Sequence, residues 1–554
     1  IMDEVPFKPQ AYERAARIIE ELEEDLSEIY QKRGRRGLLE INGIGQNLAD
    51  KIEEFIQTGK IKEYENLKKK CPVDLEQLTA VEGLGPKMIK ALYEKLKIRN
   101  LDDLAQAVLA GKIAKLPRFG SKIQANILRS LDFIKSNQNR LLLSKALSLA
   151  QKIKEKLSSA PGVKKIVIAG SIRRQKETVG DMDFLAVADN PEKVIDYFCA
   201  LPEVEKVLAQ GKTKSMVRLF SGVEADLRVV KETSFGAAWQ YFTGNKDHNI
   251  KLRKIAEEKG YKLNEYGLFL GKRMIAGKKE EEIYSKLGLP YIEAELREDT
   301  GEIEAAFQGK LPKLVRLKDI KGDLHLHSNW SDGANNFEEI AKAAKVLGYD
   351  YLAVTDHAGY LAIAGGLNEE ELLKQIAEIE KINQKNIGLK ILKGAEVDIK
   401  KDGTLAIANN ILAKLDLVIV SVHDNFKMEK RLMTQRICRA LSNPYVNILG
   451  HPSGRLIGRR EGYLVDWEEI FAAAKKNQVA LEINAYPERL DLAWQNVKKA
   501  VASGVKISLG TDAHSINQLE YMRLGVGVAR RGWATKNDIL NTMNLKNLIK
   551  FIKK

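Results

Sequence analysis

Three regimes of apolar and polar positions follow one another along the chain. Up to about residue 135, apolar residues recur at helical spacing among many lysines, which predicts amphipathic helices broken by Gly-containing turns. Residues 140–160 keep the helical period. The period then shortens to two. Lys165-Ile166-Val167-Ile168-Ala169 predicts a buried strand, and in Val223-Glu224-Ala225-Asp226-Leu227-Arg228-Val229-Val230 the apolar residues alternate with Glu224, Asp226 and Arg228, so those three share one side of a strand. Gln308-Gly309-Lys310-Leu311-Pro312-Lys313 reads as a linker. From Ile320 onward, strands alternate with helices. The strands end at His327, His357, Glu396, His423, His451, Asn484 and His514, and seven strand–helix units predict a parallel, barrel-like domain.

The polar residues at the strand ends then change the picture. Gly170-Ser171 follows the first strand as a tight turn whose N–H groups can face a phosphate, with Arg173 and Arg174 close by. The chain returns through Gly180 into a strand on which Asp181 and Asp183, at i and i+2, point to one face. With Asp226 they make three carboxylates beside a phosphate turn. That set suits two Mg²⁺ ions about 3.5–4 Å apart, clamping the attacking and leaving oxygens of a nucleotidyl transfer. Hard cations take oxygen ligands, which is why carboxylates rather than Cys or His are wanted. An isolated Asp-x-Asp would be an exposed strand end; the Gly-Ser turn, the Arg pair and the distant Asp226 make that reading insufficient.

The chain has seven histidines, and six of them fall beyond Ile320, each at or just past a strand C-terminal end. Barrels of this type place their chemistry on that face. Six His with Asp332, Glu396 and Asp512 on one rim predict a metal centre, and imidazole mixed with carboxylate suits Mn²⁺, Zn²⁺ or Fe²⁺ better than Mg²⁺ alone.

The N-terminal turns repeat. Gly43-Ile44-Gly45 opens one helix and Gly83-Leu84-Gly85-Pro86-Lys87 another, while a third, Arg118-Phe119-Gly120, has lost the first Gly. A Gly-hydrophobic-Gly hairpin offers backbone N–H groups at a helix start, where a DNA phosphate can be held without reading sequence. These turns resemble helix-hairpin-helix motifs.

Composition adds bounds. At 554 residues, three to five domains are expected, and a charge of +15 with pI near 9.2 favours a polyanionic partner, although ribosomal or membrane-surface binding would look similar on charge alone. The sequence has no apolar run long enough for a membrane span and no apolar signal peptide, and its three widely spaced cysteines (Cys71, Cys199, Cys438) imply neither disulfides nor a Cys metal site, so a reducing cytoplasmic setting without membrane is expected.

The stretch Gly170–Asp183, continued in Tyr241-Phe242-Thr243-Gly244-Asn245-Lys246-Asp247-His248-Asn249 and Arg253, resembles family X DNA polymerases, the group that includes DNA polymerase beta. The resemblance implies that Asp181, Asp183 and Asp226 are catalytic and hold Mg²⁺ or Mn²⁺. It implies that Gly170, Ser171, Arg174 and Gly180 meet the triphosphate, that Tyr241–Gly244 line the sugar pocket, and that Asn249 and Arg253 check the nascent base pair from the minor groove. Asn245 departs from the serine usual after that Gly. The histidine domain resembles the PHP (polymerase and histidinol phosphatase) domain, with its nine expected ligand positions filled. By that resemblance one ion takes His325, His327, Glu396 and Asp512, a second Glu396, His423 and His451, and a third Asp332, His357 and His514. The ions would activate water against a phosphoester and neutralise the developing charge.

The fold expected is multidomain α+β and α/β. A helical helix-hairpin-helix domain (1–95) is followed by a fingers-like helical DNA-binding region (96–140) and a nucleotidyltransferase palm (141–232). A thumb (233–312), a linker (313–319) and a seven-stranded TIM-like PHP barrel (320–554) complete it. The implied activity is gap filling in DNA repair with 3′-5′ exonuclease or 3′-end phosphoesterase action. The implied partners are gapped or nicked duplex DNA and deoxynucleoside triphosphates, and a monomer is expected. Gly43, Gly45, Gly83, Gly85, Lys87 and Gly120 would bind DNA. Lys51 lies where DNA polymerase beta keeps its Schiff-base lysine, so a 5′-deoxyribose-phosphate lyase role arises there, with Lys60 and Lys62 lowering the amine's pKa and Asp50 raising it. Ile1 in place of Met points to an N-terminal truncation. Two other classes remain: a nucleotidyltransferase on RNA or a small acceptor joined to a small-molecule phosphatase, against which the hairpins and the Asn249/Arg253 match speak, and a non-enzymatic DNA-binding scaffold, against which the complete ligand sets speak.

Overall fold

A computed structural model describes residues 12, 15, 16, 19, 26–41, 43–70, 73–79, 81, 84–117, 119–137, 140–359, 365–385 and 388–553. The chain forms two compact units, one of residues 1–138 with 458–460 and the other of residues 139–457 with 461–554.

In the first unit, helix α1 (Gln46–Thr58) starts at Gly45 and helix α2 (Pro86–Leu96) at Gly85. Pro86 fits the first turn because the N–H it lacks would have no intrahelical partner there. In each hairpin the residue between the glycine positions donates its N–H three residues back: Ile44 to Ile41, Leu84 to Val81 and Phe119 to Leu116. The third turn still differs. Gly120, opening α3 (Gly120–Asn137), has φ +59, whereas Gly45 and Gly85 are extended. Gly83 and Arg118 lie outside the described residues.

The second unit begins with α4 (Leu143–Ser158) packed on a five-stranded sheet of β1 (Val163–Ile168), β2 (Asp181–Ala188), β3 (Val204–Gln210), β4 (Lys214–Leu219) and β5 (Glu224–Val229). The order is β1-β2-β5-β4-β3, and β2 and β5 alone run parallel. Helices α5 (Phe235–Thr243) and α6 (Lys246–Glu258) follow, with a small antiparallel sheet over Lys262–Ala276. Residues 313–319, expected as a linker, are held down: Leu314 and Val315 are buried, and the Val315 N–H donates to Ala534 O.

The barrel strands are β6 (Gly322–Leu326), β7 (Tyr351–Val354), β8 (Lys390–Asp398), β9 (Leu417–Ser421), β10 (Ile448–Leu449), β11 (Ala480–Asn484) and β12 (Ile507–Gly510). All pair in parallel in chain order, and His327 N–H donating to Ala513 O draws the last toward the first. The strands are buried on both faces, so they read as apolar runs rather than as alternation. Helix α7 (Met522–Arg531) follows β12. No helix among the described residues is long and apolar enough to cross a membrane.

Candidate active sites

In the palm, the parallel pairing of β2 with β5 sets Asp183 opposite Asp226 and Asp181 opposite Glu224. Gly170-Ser171 is one turn of helix (Gly170–Arg173) rather than the simple tight turn expected. Gly170 has φ +60, and a Cβ there would lie 1.9 Å from Asp183 Oδ2, so only glycine fits. Burial, then the charges of Asp181 and Asp226, push Asp183 up to about 7. Burial also raises Asp226. Ser171 Oγ is buried without a hydrogen-bond partner. Mutually repelling carboxylates beside an unsatisfied hydroxyl fit a site built for divalent cations and a polyphosphate.

The two arginines of the signature divide their work. Arg173 is structural: its guanidinium bonds Glu280 at 2.6 and 2.9 Å and Thr243 Oγ1 at 2.6 Å, 3.5 Å over the Trp239 ring. Arg174 donates to Glu298 Oε1 at 3.0 Å and to the Thr243 carbonyl. Tyr241, Phe242, Thr243 and Gly244 end α5, and Arg228 stacks on Phe242 at 4.5 Å. Asn245 caps α6, accepting from His248 N at 2.8 Å, which gives this departure from serine a local role. Arg253 is exposed on α6. Asn249 is buried instead, its Nδ2 donating to Tyr241 O and its Oδ1 accepting from Gln240 Nε2, at 2.7 Å each. His248, the seventh histidine, is buried against Glu302 and Tyr284.

On the barrel rim, Glu396 is the hub. Its Oε2 lies 2.9 Å from His357 Nδ1, 3.6 Å from His325 Nε2 and 3.8 Å from His327 Nε2, and its Oε1 lies 2.9 Å from His451 and 3.3 Å from His423. Three sets of donor atoms fall within 4.8 Å of one another: His327, Asp332, His357 and His514; His325, His327 and Asp512; and His357, Glu396 and His423. All nine expected residues thus sit on one rim, although His357 and His327 bridge groups that the expected partition kept apart. His325 Nε2, His327 Nδ1, His357 Nδ1 and Glu396 Oε2 are buried without a well-formed hydrogen bond, which fits atoms that would ligate a cation. Asp512 and His451 adopt φ +53 and +24, which places strain at ligand positions.

Residues unremarked in the sequence orient these ligands. Glu482 Oε1 bonds His325 Nδ1 at 2.6 Å, and its Oε2 accepts from His451 N at 2.6 Å. Asp398 bonds His423 Nδ1 at 2.7 Å. Such carboxylates fix the tautomer and turn the other nitrogen toward the cluster. Arg489 Nε lies 3.4 Å from Asp512 Oδ2. A carboxylate inside a buried parallel strand, as at Glu482, is the signal that could have found one of them.

In the first unit Gly43, Gly45, Gly85, Lys87 and Gly120 lie at the hairpins. Lys51 departs from expectation. Its Nζ is 2.6 Å from Glu63, which holds the amine above its usual value, and Asp50 pairs with Arg35 instead. The hydrogen bond to Glu63 outweighs burial, which lowers the amine's pKa, and so disfavours the neutral amine a Schiff base needs.

Known proteins bear on these sites. Residues 1–61 match the helix-hairpin-helix domain, 75–132 the SAM-like helix-hairpin-helix tandem, 238–298 the DNA polymerase beta thumb and 323–486 the PHP domain. The chain is 39% identical over 556 residues to the DNA polymerase/3′-5′ exonuclease PolX of Bacillus subtilis (strain 168), covering 99% of this chain and 96% of that protein. It is 33% identical over 233 residues to a probable phosphatase of Thermoanaerobacter sp. (strain X514), covering 40% of this chain and 89% of the other. It is 26% identical over 318 residues to DNA polymerase lambda of Arabidopsis thaliana, covering 51% and 56%.

Proposed function

This chain belongs to the family X DNA polymerases that carry a PHP domain, and we propose that it fills short gaps in duplex DNA at the palm and trims 3′ ends at the barrel. The observation that carries the polymerase reading is the parallel register placing Asp183 opposite Asp226, beside the buried, unsatisfied Ser171 hydroxyl. Divalent cations, when bound, would neutralise phosphate charge and make the attacking oxygen more acidic at both sites.

The chain's own residues do the rest. Asp181, Asp183 and Asp226 would hold Mg²⁺ or Mn²⁺. Ser171 and Arg174, with the backbone at Gly170 and Gly180, would hold the triphosphate. Tyr241–Gly244 would wall the sugar, and Arg253 would face the base pair. At the barrel the nine rim residues would hold up to three ions, of Mn²⁺, Zn²⁺ or Fe²⁺. Glu482 and Asp398 keep the His325 and His423 rings turned toward them. The hairpins at Gly43–Gly45, Gly83–Lys87 and Gly120 would grip the backbone of gapped or nicked DNA, whose polyanionic charge matches the chain's +15. The setting proposed is a cytoplasmic monomer engaged in base excision repair.

Primer extension on gapped DNA, compared with RNA primers, tests this reading, with 3′-end release followed in parallel. DNA-primed extension in Mg²⁺ and 3′ trimming in Mn²⁺ are expected. Extension confined to RNA or to a small acceptor would overturn it.

A further inference from the structure

The barrel grips the polymerase signature at three neighbouring residues. Arg531, the last residue of α7 and almost wholly buried, donates from Nη1 to the Arg174 carbonyl at 2.7 Å and to Glu298 Oε1 at 3.0 Å. Gln175, at φ +56, packs against Gly527 of the same helix, where a Cβ would come within 2.9 Å of Gln175 Oε1. Glu177 forms a two-pronged pair with Arg455 at 2.8 and 3.1 Å, and Arg455 is itself anchored on the carbonyls of Arg489 and Leu490.

The Arg531 contact is unusual in its charge balance. One oxygen, Glu298 Oε1, receives both the Arg174 Nε–H and the Arg531 Nη1–H at 3.0 Å. A carboxylate facing Arg174 alone would cancel the guanidinium charge wanted for a triphosphate. With Arg531 on the other side, the trio keeps one net positive charge. Burial would raise the Glu298 carboxyl, but Arg531 and Arg174 outweigh it and hold the group ionised. Arg531 in turn packs 5.0 Å from the Trp494 ring, so its position is set by the barrel.

We propose that the barrel domain completes the triphosphate site of the polymerase: Arg531 is a positioning residue that neutralises Glu298 and fixes the Arg174 backbone, leaving the Arg174 charge to the incoming nucleotide. This rests on the polymerase reading above. Removing Arg531 leaves Glu298 to neutralise Arg174. Removing the Glu298 charge as well restores the net positive charge of the trio.

The test uses the full chain on gapped DNA with a dideoxy-terminated primer, measuring equilibrium binding of the matched deoxynucleoside triphosphate, together with steady-state extension on an ordinary primer. Arg531→Met should weaken nucleotide binding on the order of tenfold or more. It should raise KM while kcat stays within about twofold, and leave 3′ trimming unchanged. Glu298→Gln should bind nucleotide at least as well as the parent, and Arg531→Met/Glu298→Gln should bind it more tightly than Arg531→Met alone. A merely structural brace gives the opposite order, because two lost contacts are worse than one. Unchanged binding in Arg531→Met, a double variant no better than the single, or weakened binding in Glu298→Gln would each overturn the proposal. Arg531→Lys, which keeps the charge but loses the fork, should fall between parent and Arg531→Met, and stands in if the methionine variant does not fold. A parent protein that neither binds nucleotide nor extends a primer would defeat the polymerase reading itself.

Discussion

The barrel rim and the palm both gather groups that could hold cations, yet only one draws its donor atoms close together. Among the described residues, only rim residues bring three or more donor atoms within 4.8 Å of one another. In the palm, Asp181 is exposed, and Asp183 is pushed up to about 7 by burial and its like-charged neighbours. The difference lies in the donors. On the rim, imidazoles alternate with carboxylates, and burial of Glu396 is outweighed by His357, His423 and His325, which hold it ionised. In such a set opposite charges can pair with one another. Three carboxylates repel one another, so the palm donors are expected to draw together when cations and a nucleotide neutralise them. The expectation is that the rim takes up cations as it stands and the palm takes them up with its substrate.

The largest effects should separate the two. Asp226→Ala should cut extension on the order of 10³-fold or more while 3′ trimming persists. His325→Ala or Asp512→Ala should do the reverse. A variant that loses both activities equally would join the sites functionally and end the comparison.

A smaller effect sharpens it. Glu482→Gln keeps the shape beside His325 but weakens the hold on its tautomer, so metal affinity or trimming at the barrel should fall about 10–100-fold. Extension should not change. If trimming matches the parent, the rim does not depend on this carboxylate and is less ready for cations than its geometry implies.

The candidate donor residues were legible in the sequence because histidine is scarce here and nearly confined to strand ends, and because Asp181 and Asp183 flag themselves by spacing. Their helpers were not. Glu482 meets His325 across 157 positions and Arg531 meets Glu298 across 233, and no local period encodes such pairings. Asn249 fell between the two cases: its place in the motif was visible, but its burial against Tyr241 and Gln240 depends on how α5 and α6 pack. Lys51 misled because charge along the chain pointed to Lys60 and Lys62, whereas folding brings Glu63 to it.

The smallest effect belongs to Lys51. A raised amine pKa means the neutral form grows only as pH climbs. Borohydride trapping on 5′-deoxyribose-phosphate DNA should therefore be weak near neutrality, strengthen at higher pH, and increase in Glu63→Gln. Strong neutral-pH trapping that survives Lys51→Ala would place the reactive amine elsewhere.

The expected contrast between a rim that takes up cations as it stands and a palm that takes them up with its substrate is tested most directly by anomalous diffraction from crystals soaked in Mn²⁺, with and without gapped DNA and a non-hydrolysable deoxynucleoside triphosphate. Without nucleotide, anomalous density should fill the positions among His325, His327, Asp332, His357, Glu396, His423, His451, Asp512 and His514, and be absent at Asp181, Asp183 and Asp226. With nucleotide it should appear at both. Full occupancy at the palm carboxylates in the nucleotide-free crystal, or an empty barrel rim, would contradict it.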